Sequence, residues 1–188
     1  MSENITDSNI SPIFYHVLGI LAVIILNIFN IIHLSSNINI QSWTTNFILI
    51  LLISVPVIYR IINTLDAMVG YFPAKLDDIL NFIPARISGF HVIFASYILS
   101  KSDFNWKNSY QIMSRDSNNS PSHNFGFTMA PIAGSLNISL EKKGVYKIGY
   151  NDRFLKRNDI IKAVKLSKLS IYLFILVSFI ILFLYFFI

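Results

Sequence analysis

The chain of 188 residues is 54% hydrophobic and only 13% charged, with a mean hydropathy of +0.57; this is too apolar for an ordinary soluble domain and marks an integral membrane protein. Zero cysteines exclude disulfides, thiolate metal sites and a cysteine nucleophile. The net charge of +5 is informative through where it falls along the chain rather than through its sum.

A spanning helix needs roughly 20 mostly apolar residues to cross the hydrocarbon layer. Ile13 to His33 is the first such run, with histidines near its ends. Its leader is acidic (Glu3, Asp7) and no small-residue cleavage site follows, so it does not read as a cleavable signal peptide. Asn46 to Tyr59, extending into Ile62, is the second. Ile87 to Leu99 is apolar but short and reads as a non-spanning or re-entrant helix. Lys101 to Phe125 is rich in Ser, Asn and Asp and reads as loop. Thr128 to Leu140 is small and apolar, suited to a short packed helix, and "LEKKGVYKIGY" alternates around a glycine like a hairpin. Asn158 to Lys168 sets Lys162, Lys165 and Lys168 at helical spacing, a basic anchor within reach of lipid phosphates. Leu169 to Ile188 is the third span.

These elements predict an all-α integral membrane protein, a multi-pass helical bundle with a polar cytoplasmic loop region. Three segments are expected: a membrane bundle with polar motifs over 1–100, a loop region over 101–157, and a basic helix with the C-terminal span over 158–188. Lys and Arg favour the cytoplasmic side. Leu34 to Thr45 has none and is expected outside, whereas Lys101 to Lys168 holds most of them and is expected in the cytoplasm. No zinc-type histidine cluster, Ser-His-Asp arrangement, phosphate loop or aromatic-interleaved basic patch for nucleic acid is present.

The polar residues beside the spans carry the chemistry. On a helix Arg60, Asn63 and Thr64 share a face, and Asp77, Asp78 and Asn81 lie within one turn. Singly, each reads as a snorkelling or solvated charge. Together, acids, arginines and amides around short apolar segments are costly unless they line a polar cavity or meet partners.

"YRIINTLDAMVGY", "KLDDILNFIPARI" and "SRDSNNSPSHNFGFTMAPIAGSL", followed by "LEKKGVYKIG", resemble the CobD/CbiB family of cobalamin biosynthesis, the adenosylcobinamide-phosphate synthases. "SENITDSNISPIFY" is similar to that family's Glu-Asn-x-x-Asp segment, so the resemblance runs from Ser2 to about Tyr150. It implies an ATP-dependent amide ligase of the cytoplasmic membrane, its polar site facing the cytoplasm. Such an enzyme joins a carboxylate of the corrinoid adenosylcobyric acid to aminopropanol or its phosphate, with ATP and Mg2+ as expected cofactors. The site residues carried over are Glu3, Asn4 and Asp7; Asn63, Thr64 and Asp66; Asp77, Asp78, Asn81 and Arg86; and Arg115, Asp116, Ser120, Asn124 and Gly126. Asp66, Asp77, Asp78 and Arg86 are the catalytic candidates, the three acids also suit a metal ion, and the rest are candidates for binding substrate or nucleotide.

His123 stands where the family pattern has proline, which puts the local turn in question. Members of the family also usually carry roughly another hundred residues ahead of this point, beyond what one short domain needs. A fragment, a misplaced start or half of a split protein is therefore expected, with a missing N-terminal segment as a partner beside the lipid bilayer. The competing expectation is a non-catalytic membrane binding or scaffold protein with the same fold.

Overall fold

A computed structural model describes residues 5–28, 38–69, 72–101, 103–122, 124–150 and 155–187. The polar stretch Thr6–Ile10 folds as a π-helical turn that runs directly into α1, Ser11–Ile28. Pro12 has no backbone N–H and its ring crowds the carbonyl four residues earlier, which a wider turn relieves. The long helix α2 covers Ile38–Val69, with Pro56 inside it. It continues seven residues beyond the expected end at Ile62, because its polar residues satisfy one another along the helix: Arg60 Nη1 donates to Asn63 Oδ1 at 3.4 Å, and Thr64 Oγ1 to the Arg60 carbonyl at 2.8 Å.

Two shorter helices follow, α3 at Phe72–Leu80 and α4 at Phe82–Ile98, bent by 47° at their junction. Pro84 cannot donate to the Leu80 carbonyl, which ends one helix and is tolerated in the first turn of the next. Helix α5, Trp106–Asp116, passes through a 3₁₀ turn at Ser117–Asn119 to α6, Phe125–Leu136. The expected hairpin is present: β1, Leu140–Lys142, pairs antiparallel with β2, Tyr146–Ile148, in the register Leu140 to Ile148. Helix α7, Arg157–Phe187, merges the basic segment and the last apolar run into one rod.

The region expected to be loop thus holds α5. Asn105 caps this helix by accepting from the Asn108 N–H at 3.1 Å, and Ser109, Ile112, Met113 and Asp116 bury one face at helical spacing.

The chain divides into two units, Met1–Ser11 with Asp78–Ile188, and Pro12–Asp77. In the first, α5 and α4 pack on α6, α7 lies along α4, and the π-helical turn rests on α4. Its core is built from small side chains, with Ala85, Ala95, Ala130 and Ala133 fully buried beside Val92, Ile112 and Leu166. Small residues let helix backbones approach closely. Ser96 and Ser135 share a hydrogen bond of 2.6 Å between α4 and α6. In the second unit Tyr15 stacks on Tyr59 with centroids 4.9 Å apart, and Gly19 lies against Leu52 and Val55.

Among the described residues three helices are long and apolar enough to cross a membrane, over Thr6–Ile25, Leu52–Val69 and Arg157–Leu184, and the bent α3–α4 pair makes up to four. The protein is a mostly helical, multi-span membrane protein. That bent pair has the geometry of a broken span or a re-entrant loop; the sequence leads to a non-spanning or re-entrant helix over Ile87 to Leu99, within its second member.

Candidate functional site

The junction of α3 and α4 organises the polar residues of the first unit. Asn124, at the start of α6, donates from Nδ2 to the Asp78 carbonyl at 2.9 Å and to Asp78 Oδ1 at 3.4 Å. This ties the Asp-Asp motif to the Ser-Asn-rich motif 46 residues away. Asn124 is 5% exposed, yet among the described residues its Oδ1 has no partner, and neither does the buried Oγ of Ser120 in the preceding loop. Buried polar atoms are nearly always paired, and an unpaired one costs about 1–3 kcal/mol. Asn124 also sits where an N-cap side chain would normally accept from the helix, but its side chain makes no cap bond. The Asp78 side chain is exposed.

Arg86 lies one helical turn past the junction. Its guanidinium stacks over the Phe82 ring at 3.3 Å and the Phe127 ring at 4.2 Å, and Nη1 donates to the Phe82 carbonyl at 2.6 Å. Two aromatic faces hold the charge by cation–π attraction, and among the described residues no carboxylate neutralises it. Asn81, at the bend itself, is 1% exposed and accepts from Ser11 Oγ at 2.6 Å. Thr6 Oγ1 donates to Ser88 Oγ at 3.1 Å. Thr6, Ser11 and Ser88 were not singled out in the sequence. The available signal was their place as hydroxyl residues flanking or interrupting apolar helices, where an uncompensated polar group is costly.

Arg115 and Asp116 form a different arrangement. Arg115 Nε and Nη2 donate to the two carboxylate oxygens of Asp116, each at 2.5 Å. Asp116 also accepts from the Gly149 N–H at 2.8 Å and Asn119 Nδ2 at 3.2 Å, while the Arg115 guanidinium lies 3.4 Å over the Tyr150 ring. Burial pushes the Asp116 carboxyl upward, but the Arg115 and Gly149 hydrogen bonds with the Arg115 charge outweigh it and leave it below its ordinary value. This pair clasps the end of α5 to the end of the hairpin.

Gly126 and Gly134 are set by packing. A Cβ on Gly126 would lie 1.7 Å from the Ser117 carbonyl oxygen, and one on Gly134 would lie 2.5 Å from the Asn108 carbonyl oxygen. Only glycine permits these approaches.

The second unit holds the other polar set. Asn63 Nδ2 donates to Asp77 Oδ1 at 3.1 Å, carrying the Arg60–Asn63 contact of α2 over to α3. Thr64 and Asp66 lie on the same helix, Thr64 exposed and Asp66 half-buried. Asp7, in the π-helical turn of the first unit, is half-buried. Glu3, Asn4 and His123 lie outside the described residues, as does the connection at 29–37.

Among the described residues no three carboxylate or imidazole groups gather to hold a metal ion by themselves. Magnesium is commonly held by one or two carboxylates together with substrate phosphates and water. The exposed Asp78 carboxylate suits that mode.

These features define a helical membrane protein whose Asp-Asp and Ser-Asn-rich motifs meet beside the junction of a bent helix pair. The CobD/Cbib protein family model matches residues 1–168, and the chain belongs to that family. A probable cobalamin biosynthesis protein CobD of Methanothermobacter thermautotrophicus is 39% identical over 188 residues, 95% of this chain and 52% of the relative. One of the same description from Methanococcus aeolicus is 35% identical over 167 residues, 83% of this chain and 42% of the relative. The cobalamin biosynthesis protein CobD of Leptospira interrogans is 40% identical over 99 residues, 47% of this chain and 30% of the relative. The chain therefore spans about half the length, or less, of the curated relatives it matches. No solved structure matches.

Proposed function

We propose that this chain carries the amide-forming chemistry of cobalamin biosynthesis, joining a carboxylate of adenosylcobyric acid to aminopropanol or its phosphate at the cytoplasmic face of the cell membrane. Membership of the family supports the pathway. The observation that carries the site is the Asp78–Asn124 contact, with two buried atoms, Asn124 Oδ1 and Ser120 Oγ, left without partners in the same motif. A ligand that engages these two atoms accounts for a cost that a scaffold would have no reason to keep.

A carboxylate is a poor electrophile and needs activation. In this reading a carboxylate oxygen of the corrinoid bonds to the terminal phosphorus of ATP as the bond to ADP breaks. The amine nitrogen then attacks the carbonyl carbon, the bond to phosphate oxygen breaks so that inorganic phosphate leaves, and the nitrogen gives up its proton to water. Arg86 faces the phosphoryl oxygens, its charge kept available by two rings rather than by an acid. Asn124 Oδ1 and Ser120 Oγ hydrogen-bond the substrates and fix their orientation. When bound, Mg2+ would neutralise phosphate charge, with Asp78 as its carboxylate in the first unit. Asp66 and Asp77, with Asn63 and Thr64, are the polar groups assigned in the second unit. Arg115 and Asp116 act as positioning residues, holding the loop that bears Ser120 and Asn124.

The test is growth dependent on corrinoid amidation in a strain lacking the synthase. Residues 1–168 replace the matching part of the Methanothermobacter relative in a chimera. The chimera should restore growth, and its Asp78→Ala and Arg86→Ala variants, present in the membrane at the same level, should not. Equal growth with both variants would return these residues to solvated surface charges.

A further inference from the structure

Away from the polar motifs, the first unit holds a cleft of about 650 Å³ between α6, the start of the hairpin and the first turns of α7. Met129, Ile132, Ile138, Leu155, Ile160 and Ala163 make its walls apolar, and Lys156 and Arg157 stand among its lining residues. Its size is that of a small-molecule site. Asp159, also in the lining, is 7% exposed, and its Oδ2 accepts from the Lys156 backbone N–H at 2.8 Å while its own N–H donates to the Lys156 carbonyl. That reciprocal pair caps α7 in the manner of a capping box. The side chains of Lys156 and Arg157 have no acidic partner among the described residues, whereas Lys162 on the next turn is paired with Asp103 at 3.0 Å.

Two observations identify the occupant. The cleft is walled by the opening turns of α7, at the start of the candidate span Arg157–Leu184. Leu155 and Ile160 are 57% and 63% exposed beside the two unpaired cations. An apolar cleft with cations at the start of a span matches an amphiphile with a hydrocarbon tail and a negative head. We infer that this cleft binds an anionic phospholipid of the surrounding bilayer, its acyl chain among Ile132, Ile138 and Ala163 and its phosphate on Lys156 and Arg157. The lipid fixes the depth at which α7 and the α6 end of the first unit meet the membrane surface. This site is independent of the ligase assignment, since it shares no residue with it.

The test is lipid retention by the purified chain, delipidated in detergent and offered phosphatidylglycerol or phosphatidylcholine, read by native mass spectrometry. Phosphatidylglycerol should be retained in preference, one molecule per chain. The Lys156→Gln, Arg157→Gln double variant should lower that retention by about tenfold or more, from roughly one unit of surface charge attraction per residue removed. Ala163→Phe, which fills the cleft without touching charge, should weaken retention as well, with helical circular dichroism unchanged in both. Equal retention of the two lipids, or phosphatidylglycerol retention unaffected in both variants, would overturn the assignment. A photo-crosslinker at position 129 that captures protein rather than lipid in membranes would overturn it too, giving the cleft to a polypeptide.

Discussion

Asp78 and Asn124 were visible in the sequence because acids and amides at a membrane boundary demand an explanation. That they touch each other was not, since no local rule links positions 46 apart. Replacing Asn124 by Ala should raise KM for the corrinoid by about tenfold, because it removes both the Oδ1 without a partner among the described residues and the Nδ2 bonds that hold Asp78. Steady-state kinetics against corrinoid concentration checks this. Arg115 and Asp116 could not have been paired from spacing, because neighbours i and i+1 on a helix do not face each other. They meet because α5 gives way there to a 3₁₀ turn. Asp116→Asn should cost about 2 kcal/mol, the worth of hydrogen bonds to a buried charged group. The sign with pH follows from the depressed carboxyl: its stabilisation is complete above the ordinary aspartate value near ~3.9 and is lost as pH falls through the lower folded value. Thermal melts from neutral pH downward should therefore show the wild type losing its advantage over Asp116→Asn only below about pH 4.

Among the elements, the hairpin at "LEKKGVYKIGY" and a packed helix over Thr128 to Leu140, which the structure places at Phe125–Leu136, were legible from alternation and from small apolar composition. Helix α5 was not, because its Ser, Asn and Asp content resembles a loop while its apolar face is only Ile112 and Met113 beside Ser109. The cap at Asn105 supplied the missing start signal. Asn105→Ala should lower stability by about 1 kcal/mol, measured as a shift in thermal unfolding in detergent. Gly126 is a binding candidate in the sequence; the structure sets it against the Ser117 carbonyl oxygen and Gly134 against the Asn108 carbonyl oxygen, close approaches that pack α6. Gly126→Ala should be the more damaging of the two, since its Cβ would meet the Ser117 carbonyl oxygen at 1.7 Å and push away the turn before Ser120. Loss of activity together with a lower melting temperature is the expected result.

At the scale of the whole molecule, hydropathy alone gave the three long spans and flagged the fourth as short, because length and apolarity are what a bilayer requires. Their extents were harder to read. Polar residues of α2 stay helical by bonding to one another, and the basic segment before Leu169 joins α7 without a break. The division of the chain between Asp77 and Asp78 had no signature in composition. Orientation remains a proposal from the placement of Lys and Arg: Asn118→Cys, exposed after α5, should resist an impermeant thiol reagent in intact cells and react after permeabilisation. The central claim, that Asp78 serves amide formation, is tested most directly by turnover of the chimera with adenosylcobyric acid, aminopropanol phosphate, ATP and Mg2+. The expected result is ATP-dependent amide product that falls by about a hundredfold or more in Asp78→Asn at unchanged folding, as misplacement of reacting groups brings. Wild-type turnover in Asp78→Asn, or no amide product from the unmutated protein, would contradict it.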